Sequence, residues 1–111
     1  MADWITPEDV AAYLDLVGEP DDNLTLSTAV VKSAVEGRRS DLYDKTTDPP
    51  TFAPPEHVRG GSIIWAALVY QARNAPSGFA GYGDETMLLD TLGARRAEVM
   101  RMVGWRRPEL A

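Results

Sequence analysis

His57, beside Glu56, is the only histidine in the chain, so any chemistry that needs an imidazole has to run through it. A Ser-His-Asp relay requires that histidine to sit between a serine and an acid. Serines and acids are plentiful, but no spacing draws a particular pair to His57. A metal site would need His57 plus carboxylates from elsewhere, and the chain has no cysteine and no recognisable ligand spacing. His57 therefore reads as a helix-start or surface residue. No catalysis, no metal and no cofactor is expected.

Two other stretches carry residue types with binding chemistry. The first is Ser77-Gly78-Phe79-Ala80-Gly81-Tyr82-Gly83-Asp84. Its glycines resemble a phosphate-binding loop, but such loops follow a strand and place a lysine nearby. Here a helix precedes, and Lys32 and Lys45 are remote in sequence. A flexible connection is the better reading, with Phe79 and Tyr82 either folded onto the core or exposed as anchors for a neighbouring chain. The second is Trp105-Arg106-Arg107-Pro108. Tryptophan supplies contact area and arginine supplies planar, charge-assisted hydrogen bonds, a pairing enriched at interface hot spots. Either this segment docks on a partner, or Trp105 covers the end of the core.

The elements that would position these groups read as helices. Residues 63–70, Ile-Ile-Trp-Ala-Ala-Leu-Val-Tyr, are apolar without a break. Such a segment cannot face water on any side, so the rest must pack around it. Prolines bound it about twenty residues apart, and alanine, leucine, glutamine and arginine favour helix. Gly60 and Gly61 weaken its first turns. They are tolerated if another backbone approaches there, or if the helix starts at Ser62. Ahead of it, Thr6 and Pro7 open a short helix with Val10, Tyr13, Leu14 and Val17 on one face and Gly18 as its stop. Asp21, Asp22 or Asn23 caps a second helix running to about Tyr43, with Leu24, Val31, Val35 and Leu42 as its stripe, widened by Leu26 and Val30. Residues 44–54 are polar and proline-rich, and no regular structure is expected there. Phe52 is isolated in this loop, as an anchor or an exposed contact. Asp84 or Thr86 opens a fourth helix, with Leu88, Leu92, Val99, Met102 and Val103 inward, a weak point at Gly93 and a stop at Gly104.

The expectation is an all-α fold without strands: a small bundle of one short and three longer helices around a central apolar helix, with extended loops and a C-terminal tail. A chain of 111 residues builds one core, so residues 1–103 are read as a single helical domain and residues 104–111 as a tail. The N-terminus lacks the basic and apolar regions of a signal peptide, and the apolar run is too short to span a bilayer, so a soluble intracellular protein is expected. The net charge of −6 argues against a free-standing nucleic-acid binder. It is unevenly spread. Residues 1–55 hold eleven acids and four bases, whereas residues 91–111 hold two acids and five arginines. An acidic body with a basic tail presents different faces to different partners.

Taken in order, several segments resemble one family. They are Ile5-Thr6-Pro7-Glu8-Asp9-Val10-x-x-Tyr13-Leu14; Asp21-Asp22-x-Leu24 opening a helix with Val31 and Val35; a proline-rich break; Tyr70-Gln71-Ala72-Arg73-Asn74-x-Pro76; a glycine loop; Leu92-Gly93-x-Arg95-Arg96; and Gly104-Trp105-Arg106-Arg107-Pro108. The whole is similar to the head-to-tail adaptor (head–tail connector) proteins of long-tailed bacteriophages, particularly those of actinobacteria. The likeness covers nearly the entire chain. Its most specific parts are the tyrosine-to-proline segment and the Gly-Trp-Arg-Arg-Pro ending.

The resemblance implies a structural virion protein at the head–tail interface, present in host cytoplasm during assembly. It implies a ring of about twelve copies beneath the portal protein, extending the channel for genomic DNA and joining the capsid to stopper or tail proteins. DNA would pass without sequence-specific binding, and no membrane is involved. Carried onto this sequence, Arg101, Trp105, Arg106, Arg107 and Pro108 become portal-docking candidates. Phe52, Phe79 and Tyr82, in the two loops, become candidates for contacts with neighbours, lumen or tail side. Residues 63–70 hold more apolar surface than four short helices need, so Trp65 or Tyr70 becomes a candidate for the contact between subunits. Two alternatives are another neck protein, a stopper or tail-completion protein, and a small helical DNA-binding regulator using Arg95, Arg96, Arg101, Arg106 and Arg107.

Overall fold

The central helix organises the chain. In this computed structural model, which describes residues 3–74 and 91–105, it is α3, Glu56–Asn74. Three further α-helices are described, α1 (Pro7–Leu14), α2 (Asp22–Arg38) and α4 (Arg96–Val103), and α3 packs against each of them. Every one of residues 63–70 is buried or half-buried by the chain itself. Val58, Trp65, Ala66, Ala67 and Val69 of α3 meet Val10 and Ala11 of α1, Leu24, Val31 and Val35 of α2, and Val99 and Val103 of α4 in one core. Ile5, Phe52 and Leu92 complete it.

The helix starts follow from local chemistry. At α1 the Thr6 hydroxyl accepts from the Asp9 amide, and the Asp9 carboxylate accepts from the Thr6 amide, a reciprocal capping box with Pro7 at the first helical position. At α2 the Asp21 carboxylate accepts from the Leu24 amide. The stop of α1 differs from expectation. Asp15 takes the left-handed conformation at φ 58°, and the helix closes there rather than at Gly18. Val17 thus leaves the inward face and is fully exposed, and Tyr13 is also largely exposed.

On α2 the inward stripe is Leu24, Ser27, Thr28, Val31 and Val35. Leu26 points to solvent, because two residues along a helix turn a side chain about 200° from Leu24. The buried hydroxyl of Thr28 is satisfied by the carbonyl of Leu24, 2.9 Å away. The helix ends at Arg38 rather than near Tyr43, and a 3₁₀ turn, Ser40–Leu42, follows.

The expectation of no strand is corrected by a small antiparallel ribbon, β1 (Tyr43–Asp44) paired with β2 (Thr51–Phe52), so the architecture is mainly rather than wholly α. Asp44 accepts from both the amide and the hydroxyl of Thr46 and so turns the chain back. Phe52 anchors the ribbon. Its ring centroid lies 5.0 Å from that of Trp4 and 5.1 Å from that of Tyr43.

The helix α3 begins at Glu56, well before Ser62, so the glycine pair lies inside it. A β-carbon at Gly61 would stand 2.8 Å from Cβ of Met102 and 3.4 Å from the backbone nitrogen of Val103. The close approach of α4 is what that glycine permits. Gly93, at φ 51°, breaks the expected fourth helix. A 3₁₀ turn, Gly93–Arg95, leads into α4, and Gly104 closes α4 at φ 76°. The expected start of that helix at Asp84 or Thr86 lies outside the described residues.

Candidate partner-docking surface

Trp105 follows α4 and turns back onto the core. Its ring stands edge-on to Trp65, with centroids 5.3 Å apart and planes at 86°. The guanidinium carbon of Arg38 lies over the other indole, 4.8 Å from the Trp105 ring centroid. Two residues earlier, at the end of α4, the carbonyl of Val103 accepts from Nη1 of Arg39 at 2.9 Å. The end of α2 thus clasps the end of α4 by two arginines. Arg39 also holds Asp41 in a fork, with Nε and Nη2 each 3.0 Å from a carboxylate oxygen. The hydrogen bonds it donates to Asp41, and the negative charge of that carboxylate, raise the guanidinium's already high pKa further. Beside this clasp lies a recess of about 230 Å³ lined by Arg38, Arg39, Asp41 and Gly104.

The predicted docking residues therefore separate. Trp105 is a half-buried part of the core's edge, and Arg101 is exposed on α4. Arg106, Arg107 and Pro108 lie outside the described residues, as do Phe79 and Tyr82. Phe52 is a core anchor and not an exposed loop contact. Trp65 is wholly enclosed by its own chain, which removes it as a candidate for contact between subunits. Tyr70 is half-buried, and its hydroxyl donates to the Asp21 carboxylate at 2.9 Å, tying the end of α3 to the start of α2.

In the sequence, Arg38 and Arg39 are simply two bases after Gly37. Their approach to Gly104 is a tertiary contact, with no local signal. The other arginines are dispersed. Arg59 pairs with Asp9 and donates to the carbonyl of Trp4, whereas Arg95 pairs with Glu98 and donates to the Tyr13 hydroxyl.

A second polar cluster sits near the ribbon. Lys32 bridges Asp3 and Glu36, and Glu36 accepts from Nε1 of Trp4 at 2.8 Å and from the Tyr43 hydroxyl at 3.3 Å. Burial first, then the Glu36 charge, pushes the Tyr43 phenol's pKa up. His57 is exposed on the first turn of α3. Among the described residues, no group of three or more histidine and acidic side chains is placed to hold a metal ion, and no helix is long and apolar enough to cross a membrane. No protein family, curated protein or solved structure matches the chain.

Proposed function

We propose that the chain is a head-to-tail adaptor subunit of a long-tailed bacteriophage. In this reading about twelve copies form a ring beneath the portal protein, extend the DNA channel, and receive the stopper or tail proteins on the far side. The role is structural, without catalysis. The sequence resemblance supplies the family. The observation that carries the mechanism is the clamping of Trp105 between Trp65 and Arg38. The segment beginning Arg106-Arg107-Pro108 starts from a fixed point, so a docking arm attached there carries its arginines to a partner with less orientational entropy to lose.

Charge supports the same reading. With a net charge of −6, and with Arg39, Arg59 and Arg95 each held by an acid, the subunit is poorly suited to grip phosphate, which favours passage of DNA over its binding. A basic arm on an acidic body instead suits an acidic protein surface.

The test is truncation at two points. Removal of residues 106–111 keeps Trp105 and is expected to leave the thermal unfolding curve in place while abolishing capture by purified portal rings. Unchanged capture would overturn the docking role. Removal from residue 104 onward also strips Trp105 from the core, so only the shorter truncation separates docking from folding.

A further inference from the structure

We propose that the corner between α1 and α2 docks on the outer face of α4 in a second copy of the chain, so that copies join head to tail. The pairing of these two faces rests on the chain's own surface; that the joined copies close into a ring rests on the adaptor reading above.

Three of the four large apolar side chains exposed among the described residues, Tyr13, Leu16 and Val17, fall within five positions at this corner. Val17 is 99% exposed. Scattered apolar residues on a surface are ordinary, whereas a group of them rimmed by charge marks an interaction surface. The corner is also tied at both ends. The Leu16 amide donates to the Ala11 carbonyl at 2.9 Å. Four residues after Val17, the Asp21 carboxylate caps α2 and accepts from Tyr70. Val17 thus stands between two anchored residues and gives almost no surface to its own core.

The charges at the corner identify the occupant. Asp15, Glu19 and Asp22 are exposed, and their carboxylates have no ion-pair or hydrogen-bond partner among the described residues. Elsewhere acids are matched, Asp9 by Arg59, Glu36 by Lys32 and Glu98 by Arg95. What fits the corner is a small apolar seat with unpaired bases beside it. The chain carries such a surface. Arg96 and Arg101 are exposed on α4 and have no partner among the described residues, and Ala97, also exposed, lies next to one and a turn before the other. Alanine leaves room for a branched side chain, and the arginine stems add apolar methylenes around it.

One copy cannot make this contact with itself. Arg95 donates to the Tyr13 hydroxyl of its own chain, and Ala97, two residues on, points about 160° away around the helix. The corner and the outer face of α4 therefore look in different directions, and joining them takes two copies. Each copy in such a pair keeps one unused face of each kind, so the contact repeats and closes a ring or continues as a filament. The charged rim sets orientation and partner choice, and the apolar centre supplies most of the affinity.

The experiment uses the full chain, which has no cysteine, so an introduced one reacts alone. Val17→Cys and Ala97→Cys are made separately, with His57→Cys, on the exposed first turn of α3, as a control. Unchanged circular dichroism shows that each variant folds. An equal mixture of Val17→Cys and Ala97→Cys, treated with a short bismaleimide, is expected to give several-fold more crosslinked dimer than either alone. It is expected to exceed the mixture of Val17→Cys with His57→Cys by the same margin. Adding Arg96→Glu and Arg101→Glu to the Ala97→Cys chain is expected to cut the mixed yield about tenfold. A mixed yield unmoved by these reversals would overturn the assignment of the basic face. Crosslinking of Val17→Cys with itself at the mixed yield would overturn the pairing in favour of a symmetric contact between two corners. A mixed yield equal to the control, both free and with portal rings present, would overturn it outright.

Portal rings also separate the pairing from the adaptor reading. If they capture the chain while no mixed excess appears, the pairing falls and the adaptor reading stands. If the mixed excess appears and the rings capture nothing, the pairing stands and the adaptor reading falls.

Discussion

The indole of Trp105 meets that of Trp65 edge-on, with centroids 5.3 Å apart, so the last described residue closes over the largest side chain of the core. A tryptophan that merely projected toward a partner would be removable at no cost to the subunit. Here Trp105→Ala is expected to destabilise the fold by about 2 kcal/mol, through lost area and a lost aromatic pair. Chemical denaturation with both tryptophan fluorescence and far-ultraviolet circular dichroism checks this. An unchanged midpoint would mean that Trp105 does not close the core.

The two neighbouring glycines of α3 are expected to respond in opposite directions. At Gly60 a β-carbon would lie 3.5 Å from the Met102 methyl group, an ordinary contact, and alanine is worth up to about 1 kcal/mol over glycine inside a helix. Gly60→Ala should therefore stabilise. At Gly61 the same atom would press on Cβ of Met102 and the backbone of Val103, which cannot yield without moving α4. Gly61→Ala should destabilise by about 1–3 kcal/mol despite the same gain in propensity. Thermal melts of the two variants side by side decide the matter.

What the sequence disclosed was local. Thr6-Pro7, Asp21 and Gly104 each act within four residues of themselves, and the helix ends they mark are where they were expected. The unbroken apolar run of α3 needed no partner to be recognised. Long-range relationships were not legible. Helical spacing places Val17 inward on α1, and the apolar stripe of α2 widens to Leu26, yet both are exposed, and Ser27 and Thr28 take the inner face of α2, with the Thr28 hydroxyl bonded to a backbone carbonyl of its own helix. The ribbon has no local signal because Phe52, which pairs with Tyr43, packs its ring on Trp4, far away in the chain. The clasp joins Arg39 to Val103, 64 positions on, and no periodicity reports such a pair. Gly61 was read as a place of close backbone approach or as lying ahead of the helix, and only tertiary structure separates these.

The turn that carries the ribbon gives a pH-dependent signature. Hydrogen bonds from the Thr46 hydroxyl and amide hold the Asp44 carboxyl below the ordinary aspartate range. A carboxylate whose folded pKa is depressed contributes stability above its unfolded pKa, and the contribution is lost as pH falls through the folded value. Carbon-detected NMR titration is expected to show Asp44 ionising at lower pH than a free aspartate. Thr46→Val removes the larger of the two causes and is expected to bring the titration back toward the ordinary value. An Asp44 midpoint unaffected by that change would show that the hydroxyl does not hold the carboxylate.

Trp65 and Tyr70 share the apolar stretch of α3, yet substitution should affect them very differently. Trp65 is enclosed on all sides, so Trp65→Ala is expected to cost about 3–5 kcal/mol, and a charged replacement should prevent folding altogether. Such a variant would lose assembly only because it loses the subunit. Tyr70 is half-buried, and its hydroxyl reaches the carboxylate that also caps α2. Tyr70→Phe removes one hydrogen bond while leaving the cap in place, for a cost of about 1 kcal/mol. It therefore yields a folded protein in which this side of α3 can be tested for contact between copies. Sedimentation of Tyr70→Phe and of Tyr70→Ser together with portal rings would read that contact out. Ring formation equal to that of the unaltered chain in both variants would remove Tyr70 as an interface residue, as burial has already removed Trp65.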